Sequence, residues 1–437
     1  MVSQKTLIKK DPYQTSRILY IIEAALEYFV AILVGETYLA KIAMSIGVSD
    51  SGIGVLTAFV SLGQFFQIFT IFISQRKGVK KLIVWLGLAN QLLFSLLYVV
   101  PIFPSTFKLT IPIFVVALLL AQIIFNFSIP GKTHWYMSLV PDNRRGIFTA
   151  NKEIISLISG MIFSMGMGRL IDHFEDKGEL KSAFILIAIT LLTLTLLHTL
   201  TLLFSKEKPK PEGVKTPSVR ETISALFRNK TLYRVIGLSA IWYAVRYTYT
   251  PFMGTYKLGV LGFSMTFSTI IGAVASIMRA VFSRSMGRFA DKYSFKKLLI
   301  LCYGIEIVAL AFAVFSVPSN GKVFFSIYSI LAAIAMAGLN SSEINLIYSY
   351  VEESQRIGAL AIKNMVSGFI GFFTTLLMTI PVNYIQNNGN RIFGIQIYAQ
   401  QFTTFIGLIG VIIVALYAIF VLKDKKVESN NPPTQES

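Results

Sequence analysis

Apolar runs of about twenty residues recur along the whole chain, as in Leu180 to Phe204 and Ile397 to Leu422, and polar breakers separate them. At a helical rise of about 1.5 Å per residue, each run can cross a hydrocarbon layer of about 30 Å. Irregular or open-edged backbone finds no hydrogen-bond partners in lipid, so the runs are predicted to be helices. Reading between breakers gives spans near 17–44, 51–75, 81–103, 110–139, 147–171 and 180–204, then 232–258, 262–286, 296–317, 322–350, 358–386 and 395–422. The intervening SKEKPKPEGVKTPSVRETISALFRNK is too polar to cross. The pattern predicts an all-α membrane protein of twelve transmembrane helices. Its expected parts are an N-terminal six-helix bundle over 1–204, a cytoplasmic linker over 205–230, a C-terminal six-helix bundle over 231–422 and a disordered cytoplasmic tail over 423–437.

The two halves repeat. SLVPDNRRGIFTANKE after the fourth span aligns with SYVEESQRIGALAIKN after the tenth at an offset of 211, which sets Arg145 on Arg356 and Lys152 on Lys363. QRKGVKKLIV from Gln75 aligns with DKYSFKKLLI from Asp291 at an offset of 216. Two pseudo-symmetric six-span halves are the plan of a rocking transporter with its site at midplane between them.

Composition agrees with the pattern: 54% of residues are hydrophobic and 14% charged, against about 25% charged in soluble domains. The net charge of +18 would fit nucleic acid, but its placement follows loop parity. Basic clusters fill alternate short loops: Arg76, Lys77, Lys80 and Lys81; Arg144 and Arg145; Lys206, Lys208 and Lys210; Lys292, Lys296 and Lys297. Loops between them, such as the acidic IDHFEDKGE from Ile171, lack that excess. Positive loops lie inside, so both termini and the linker are expected in the cytoplasm, and no nucleic acid is expected as a partner. The sole cysteine, Cys302, sits in an apolar run and offers neither an internal disulfide nor a metal cluster. No cleavable signal is read: sixteen mostly polar residues precede a first span that carries Glu23 and Glu27. A plasma or inner cell membrane is the expected location.

GRFADKYSFKKLL, from Gly287 to Leu299, resembles the loop signature of the major facilitator superfamily: a glycine, an acid, a basic residue, then a basic pair. Gly287, Asp291, Lys292, Lys296 and Lys297 carry the match. The first-half copy is degenerate, with Ile71 and Gln75 in place of the glycine and acid, leaving Arg76, Gly78, Lys80 and Lys81. VPDNRRG is similar to that family's turn after the fourth span. The resemblance implies a cytoplasmic latch made by these loops, with Arg76, Gly78, Gly287, Asp291, Lys292, Arg145 and Arg356 as its residues. It also implies a cavity lined by spans one, four, seven and ten.

Enzyme motifs are absent or out of place. NFSIPGKT would fit a phosphate-binding loop if Asn126 were glycine, but it sits deep in the fourth span with no strand before it. No HExxH, GxSxG or paired-cysteine spacing occurs, and three histidines are too dispersed for a metal site. No catalytic residue, metal or cofactor is expected.

Charges within spans are the candidate chemistry, because each costs about 2.5–3.5 kcal/mol on insertion scales and so faces a cavity or a partner. Glu27, Lys132, Arg246, Arg279 and Glu343 all count out at depths of about 12–18 Å, near midplane. Glu23 lies one turn shallower than Glu27 on the same face. Three acids and three bases suggest mutual pairing. Lys132 and Glu343 are repeat equivalents and form the first expected cross-bundle pair; Glu27 and Arg246 form the second. Pro130 and Gly131 predict a kink beside Lys132. Trp135, Tyr136 and Trp242 are expected on a cavity wall, His134 against a neighbouring helix, and Glu306 as a peripheral helix–helix contact.

These readings predict a secondary active transporter of a small polar or charged solute, working as a monomer by alternating access. Lys132, Arg246 and Arg279 would hold an anionic group, and Glu27 or Glu343 would carry a proton or serve another coupling ion. The alternative is multidrug efflux, opposed by three midplane bases and by a proline-free fifth span, SGMIFSMGMGRLID. A non-transporting membrane sensor is the remaining reading; the linker and tail offer it no folded signalling domain.

Overall fold

The computed structural model describes residues 11–70, 78–104, 106–141, 144–208, 224, 230–350 and 356–422. The N-terminal half contains α1 (Gln14–Leu33), α2 (Glu36–Ser45), α3 (Asp50–Phe65), α4 (Lys80–Val99), α5 (Thr110–Met137), α6 (Arg145–Asp176) and α7 (Leu180–Phe204). The C-terminal half contains α8 (Lys230–Tyr249), α9 (Met265–Lys292), α10 (Phe295–Val314), α11 (Gly321–Tyr350), α12 (Arg356–Asn387) and α13 (Ala399–Phe420). A two-residue-per-strand hairpin, β1 (Arg391–Ile392) and β2 (Ile395–Gln396), joins the last two helices.

Within the described residues every predicted span overlaps helix, but the count by length and apolarity is ten, or eleven if a bent pair is one span. The bent pair is α1 and α2, set at 45°. Its break at Val34–Gly35 leaves the Leu33 carbonyl free of the helix, and the buried Tyr98 hydroxyl donates to that oxygen at 2.6 Å. The expected seventh span is not in the count because α8 is polar and stops at Tyr249. Pro251 supplies no amide there, and the chain continues as a 3₁₀ turn (Thr250–Phe252) and a π-helical turn (Tyr256–Val260). Pro130, by contrast, is accommodated within an unbroken α5.

Start signals are local. Ser49 accepts from the Gly52 amide at 3.3 Å, Ser264 from Phe267 at 3.1 Å and Ser294 from Lys297 at 3.2 Å, opening α3, α9 and α10. The repeat is visible in a matched pair of bonds. Lys80 Nζ donates to the Leu203 carbonyl at 2.7 Å, and Lys296 Nζ, 216 residues on, donates to Ile419 at 2.9 Å. Each lysine thus stops the last helix of its own bundle by satisfying a terminal carbonyl.

Because spans alternate in direction, residues 14, 204, 230 and 420 lie at one end of the bundles, the terminal end. The two halves have separate apolar cores and meet closely toward the opposite, distal end. There Asp172 accepts from the Met265 and Thr266 amides at 2.8 and 2.7 Å, capping α9 from the other bundle. Asp50 accepts from Gln386 and Gln400 at 2.7 and 2.8 Å, and Lys257 pairs with Glu36 at 2.9 Å. Nearer mid-depth, Ser61 donates to the Gly368 carbonyl at 2.9 Å. Glycine is needed at this crossing: a Cβ on Gly368 would stand 2.4 Å from the Ser61 carbonyl oxygen and 2.9 Å from the Phe65 amide nitrogen.

Candidate functional site

Lys132 is 6% exposed and reaches across the N-terminal bundle from α5 to α1. Its ammonium donates to Glu23 Oε1 at 2.7 Å and to Glu27 Oε2. The two acids are one helical turn apart, so a single cation bridges both. His198, in α7, places Nε2 2.9 Å from the same Glu23 oxygen. Glu23 and His198 are 0% and 1% exposed, whereas the Glu27 side chain is 19% exposed. Three α-helices thus hold a buried charge network with one exit, at Glu27.

The ligand atoms of Glu23, Glu27 and His198 lie within 4.8 Å of one another, a spacing that could hold a metal ion. Here the cation shared by the two carboxylates is the chain's own lysine. Burying four polar groups is tolerable only because they satisfy one another. Glu23 Oε2 and His198 Nδ1 nonetheless have no hydrogen-bond partner.

Glu27 opens on a hollow of about 290 Å³ between the bundles. Tyr28, Lys152, Glu153 and Ser156 line it from the N-terminal half and Arg279 from the C-terminal half. A second hollow, of about 390 Å³, shares Tyr28 and Leu157 with the first and extends toward the distal seal, past Glu36 and Lys257. The aligned lysines of the repeat behave alike: Lys152 lies over the Tyr20 ring and Lys363 over Tyr243, each at 5.3 Å.

The pairings expected from sequence are corrected. Lys132 is held by Glu23 and Glu27 in its own bundle, so it is not the counter-ion expected for Glu343. The Glu343 side chain, like that of Arg356 and all of Arg76, lies outside the described residues. Glu27 is likewise taken by Lys132 rather than by Arg246. Among the described residues Arg246 has no ion-pair partner within 4 Å; the neighbouring groups that act on its charge are Tyr243, Tyr247 and Tyr249 and, least, Glu306. Glu306 is a central group of its bundle, not a peripheral one: it is 2% exposed and accepts from the Tyr249 hydroxyl at 2.9 Å, with Oε2 unpartnered. Tyr249→Phe should therefore cost about 1–3 kcal/mol by stranding a buried carboxyl. A lowered melting temperature in Tyr249→Phe, absent when Glu306→Gln is added, checks this.

Trp135, Tyr136 and Trp242 are packed inside the bundles rather than set on a cavity wall. Trp135 Nε1 donates to the Lys206 carbonyl at 3.0 Å and Tyr136 to Ser205 Oγ at 2.9 Å, while Tyr20 stacks on Tyr136 at 4.0 Å. Trp242 packs on Tyr303 at 5.3 Å. These rings fix the walls from behind. His134 is on the exposed side of α5, away from the Lys132 face. Of the latch residues, Gly78, Arg145, Asp291 and Lys292 are exposed, and the space beside Gly287 is open. His198 was missed by counting histidines for metal spacing; its signal is a titratable ring inside the apolar run LLTLTLLHTLTLLF.

Among solved structures, the chain is similar to a point variant of the nucleoside transporter NupG, with TM-score 0.73 and 14% identity over 92% of this chain and 99% of that one. A D-xylose-proton symporter matches at TM-score 0.71 and 14% identity, over 94% and 98%. A POT family peptide transporter in an autoinhibited state matches at 0.70 and 12%, over 95% and 98%. No curated protein matches the sequence. The model of the Major Facilitator Superfamily matches residues 18–286 and 270–437, which with the all-helical, two-bundle architecture places the chain in that superfamily.

Proposed function

We propose that the protein is a proton-coupled secondary transporter of a small polar or charged solute. The observation that carries this reading is Glu27, shared between a buried lysine and the hollow between the bundles. A proton arriving from the hollow neutralises Glu27 and leaves Lys132 to Glu23 alone. Loss of that proton restores the double bridge. Binding of the solute and the state of Glu27 are thereby linked through one ammonium group. Among the midplane bases, Arg279 lines the hollow, whereas Lys132 is committed to carboxylates within its own bundle. Lys132 therefore supports the site from behind, and Arg279 takes the solute contact. The basic loops of the terminal end support a reading in which both termini lie on the cytoplasmic side of a cell membrane.

The test is transport into proteoliposomes with and without an imposed pH gradient, using tritiated sugars, nucleosides, amino acids and peptides. Wild type is expected to accumulate its solute only with the gradient. Glu27→Gln is expected to keep solute exchange at equal concentrations and to lose gradient-driven accumulation. Retained accumulation in Glu27→Gln would refute the proton role, and no exchange of any solute by wild type would refute transport itself.

A further inference from the structure

The hollow beside Glu27 carries charges that the network behind it does not use. Lys152, Glu153 and Arg279 line it, and among the described residues none has an ion-pair partner within 4 Å. The Ser156 hydroxyl, on a side chain more than nine-tenths buried, lines the same space and has no hydrogen-bond partner. Buried polar groups in native proteins are rarely left unmatched, and a solute in the hollow would supply the partner that the Ser156 hydroxyl lacks. Its charge follows from the lining. With the Glu23–Lys132–Glu27 bridge behind it counted, three acids offset three bases, so the site is neutral overall but divided, with Arg279 on the C-terminal bundle and the exposed Glu153 on the N-terminal one both lacking an ion-pair partner among the described residues.

A monoanion would satisfy Arg279 and leave Glu153 unmatched; a monocation would do the reverse. A molecule bearing both groups satisfies both bundles. Tyr28, Phe125 and Leu157 complete the lining with apolar surface. At about 290 Å³ the hollow lies at the lower edge of the range for drug-sized ligands, about 300–1,000 Å³. From these observations we infer that the solute is a small zwitterion of the amino-acid type, its carboxylate on Arg279, its ammonium on Glu153 and its apolar side chain against Tyr28 and Phe125. This rests on the transporter reading above and names its substrate class. It also gives the solute a mechanical role, because one molecule would tie the two bundles together through opposite charges.

The test is a thermal-shift titration of the purified full chain with leucine, phenylalanine, alanine, glutamine and glycine betaine. Isocaproate and isoamylamine serve as the matched anion and cation. A stabilising shift with at least one zwitterion, with at least about tenfold weaker binding of both single-charge analogues, is expected. Arg279→Gln should abolish the zwitterion shift. Glu153→Gln should weaken leucine at least about tenfold while sparing isocaproate, a selectivity that a merely structural role would not produce. Equal shifts with isocaproate or with isoamylamine would overturn the proposal in favour of an anion or a cation site. No shift with any zwitterion would overturn it as well. Solute exchange measured on the same preparation separates the two failures: exchange of a sugar or nucleoside without a zwitterion shift refutes the substrate class and leaves transport standing.

Discussion

Replacing Lys132 by methionine is expected to lower the melting temperature of the purified protein by about 5 °C or more, equivalent to a loss of about 3–5 kcal/mol. Two carboxylates, one of them fully buried, would lose the single cation that bridges both. Methionine keeps the length and apolar stem of the side chain, so the effect isolates the charge. The matched variant is Lys132→Met combined with Glu23→Gln and Glu27→Gln. With the acids neutralised, most of the lost stability should return, since replacing all members of a buried ion network costs far less than removing one. An unchanged melting temperature in the single variant would show that the network is not electrostatically closed. Failure of the triple variant to recover would show that Lys132 acts through packing alone.

The second large effect is expected at the crossing of α3 and α12. Gly368→Trp inserts a ring where even a Cβ would stand 2.4 Å from a backbone oxygen. The neighbour is rigid main chain of the opposite bundle, so the two halves must separate. Solute exchange should fall by more than about tenfold because the distally sealed conformation is removed from the cycle. The same shift can be read directly with a thiol probe. Cys302 is the only cysteine and is buried, so a Cys302→Ala background is clean. Ser268, buried beside the distal hollow, becomes the reporter as Ser268→Cys. Its labelling by a maleimide should rise several-fold in Gly368→Trp. Slow labelling in both proteins, with exchange intact, would mean that the crossing can slide rather than part.

Sequence pattern located the helices and the depth of the charges because both follow from one-dimensional quantities: run length, rise per residue and loop charge. Lys132, Glu23 and Glu27 were found in this way. Their partnership was not, because depth does not say which helix lies beside which. Repeat symmetry pointed Lys132 toward Glu343, yet α1 and α5 of the same bundle are neighbours, and Glu23 at one turn from Glu27 was the nearer acid. His198 is 175 residues from Glu23 and no local spacing connects them. Glu306 is a similar case: an acid in an apolar run, it is aligned at the offset of 216 with Asn90, which suggests a peripheral helix–helix contact for both. Asn90 does make a helix–helix bond, to the Ala121 carbonyl at 2.8 Å, whereas Glu306 is a buried acid held by a tyrosine hydroxyl. Quasi-equivalent positions thus share a depth and differ in chemistry. The break after Tyr249 was hidden for a simpler reason: a proline near a helix end reads equally well as a bend or a stop.

The distal seal has an energetic consequence. Asp50 is met by two side-chain amides and Asp172 by two backbone amides, while Ser61 meets a carbonyl. In each of these contacts at least one side is uncharged, and the one ion pair across the seal, Lys257–Glu36, is partly exposed at Glu36, so water can replace the lost partner when the halves part. Such bonds are worth about 0.5–3 kcal/mol each. Inverting a conformational population from 1:99 to 99:1 takes about 5.5 kcal/mol of differential binding. At the lower end of that range the few bonds of the seal are of the same order as that figure, so the binding energy of one small molecule is of the right size to reverse the closure.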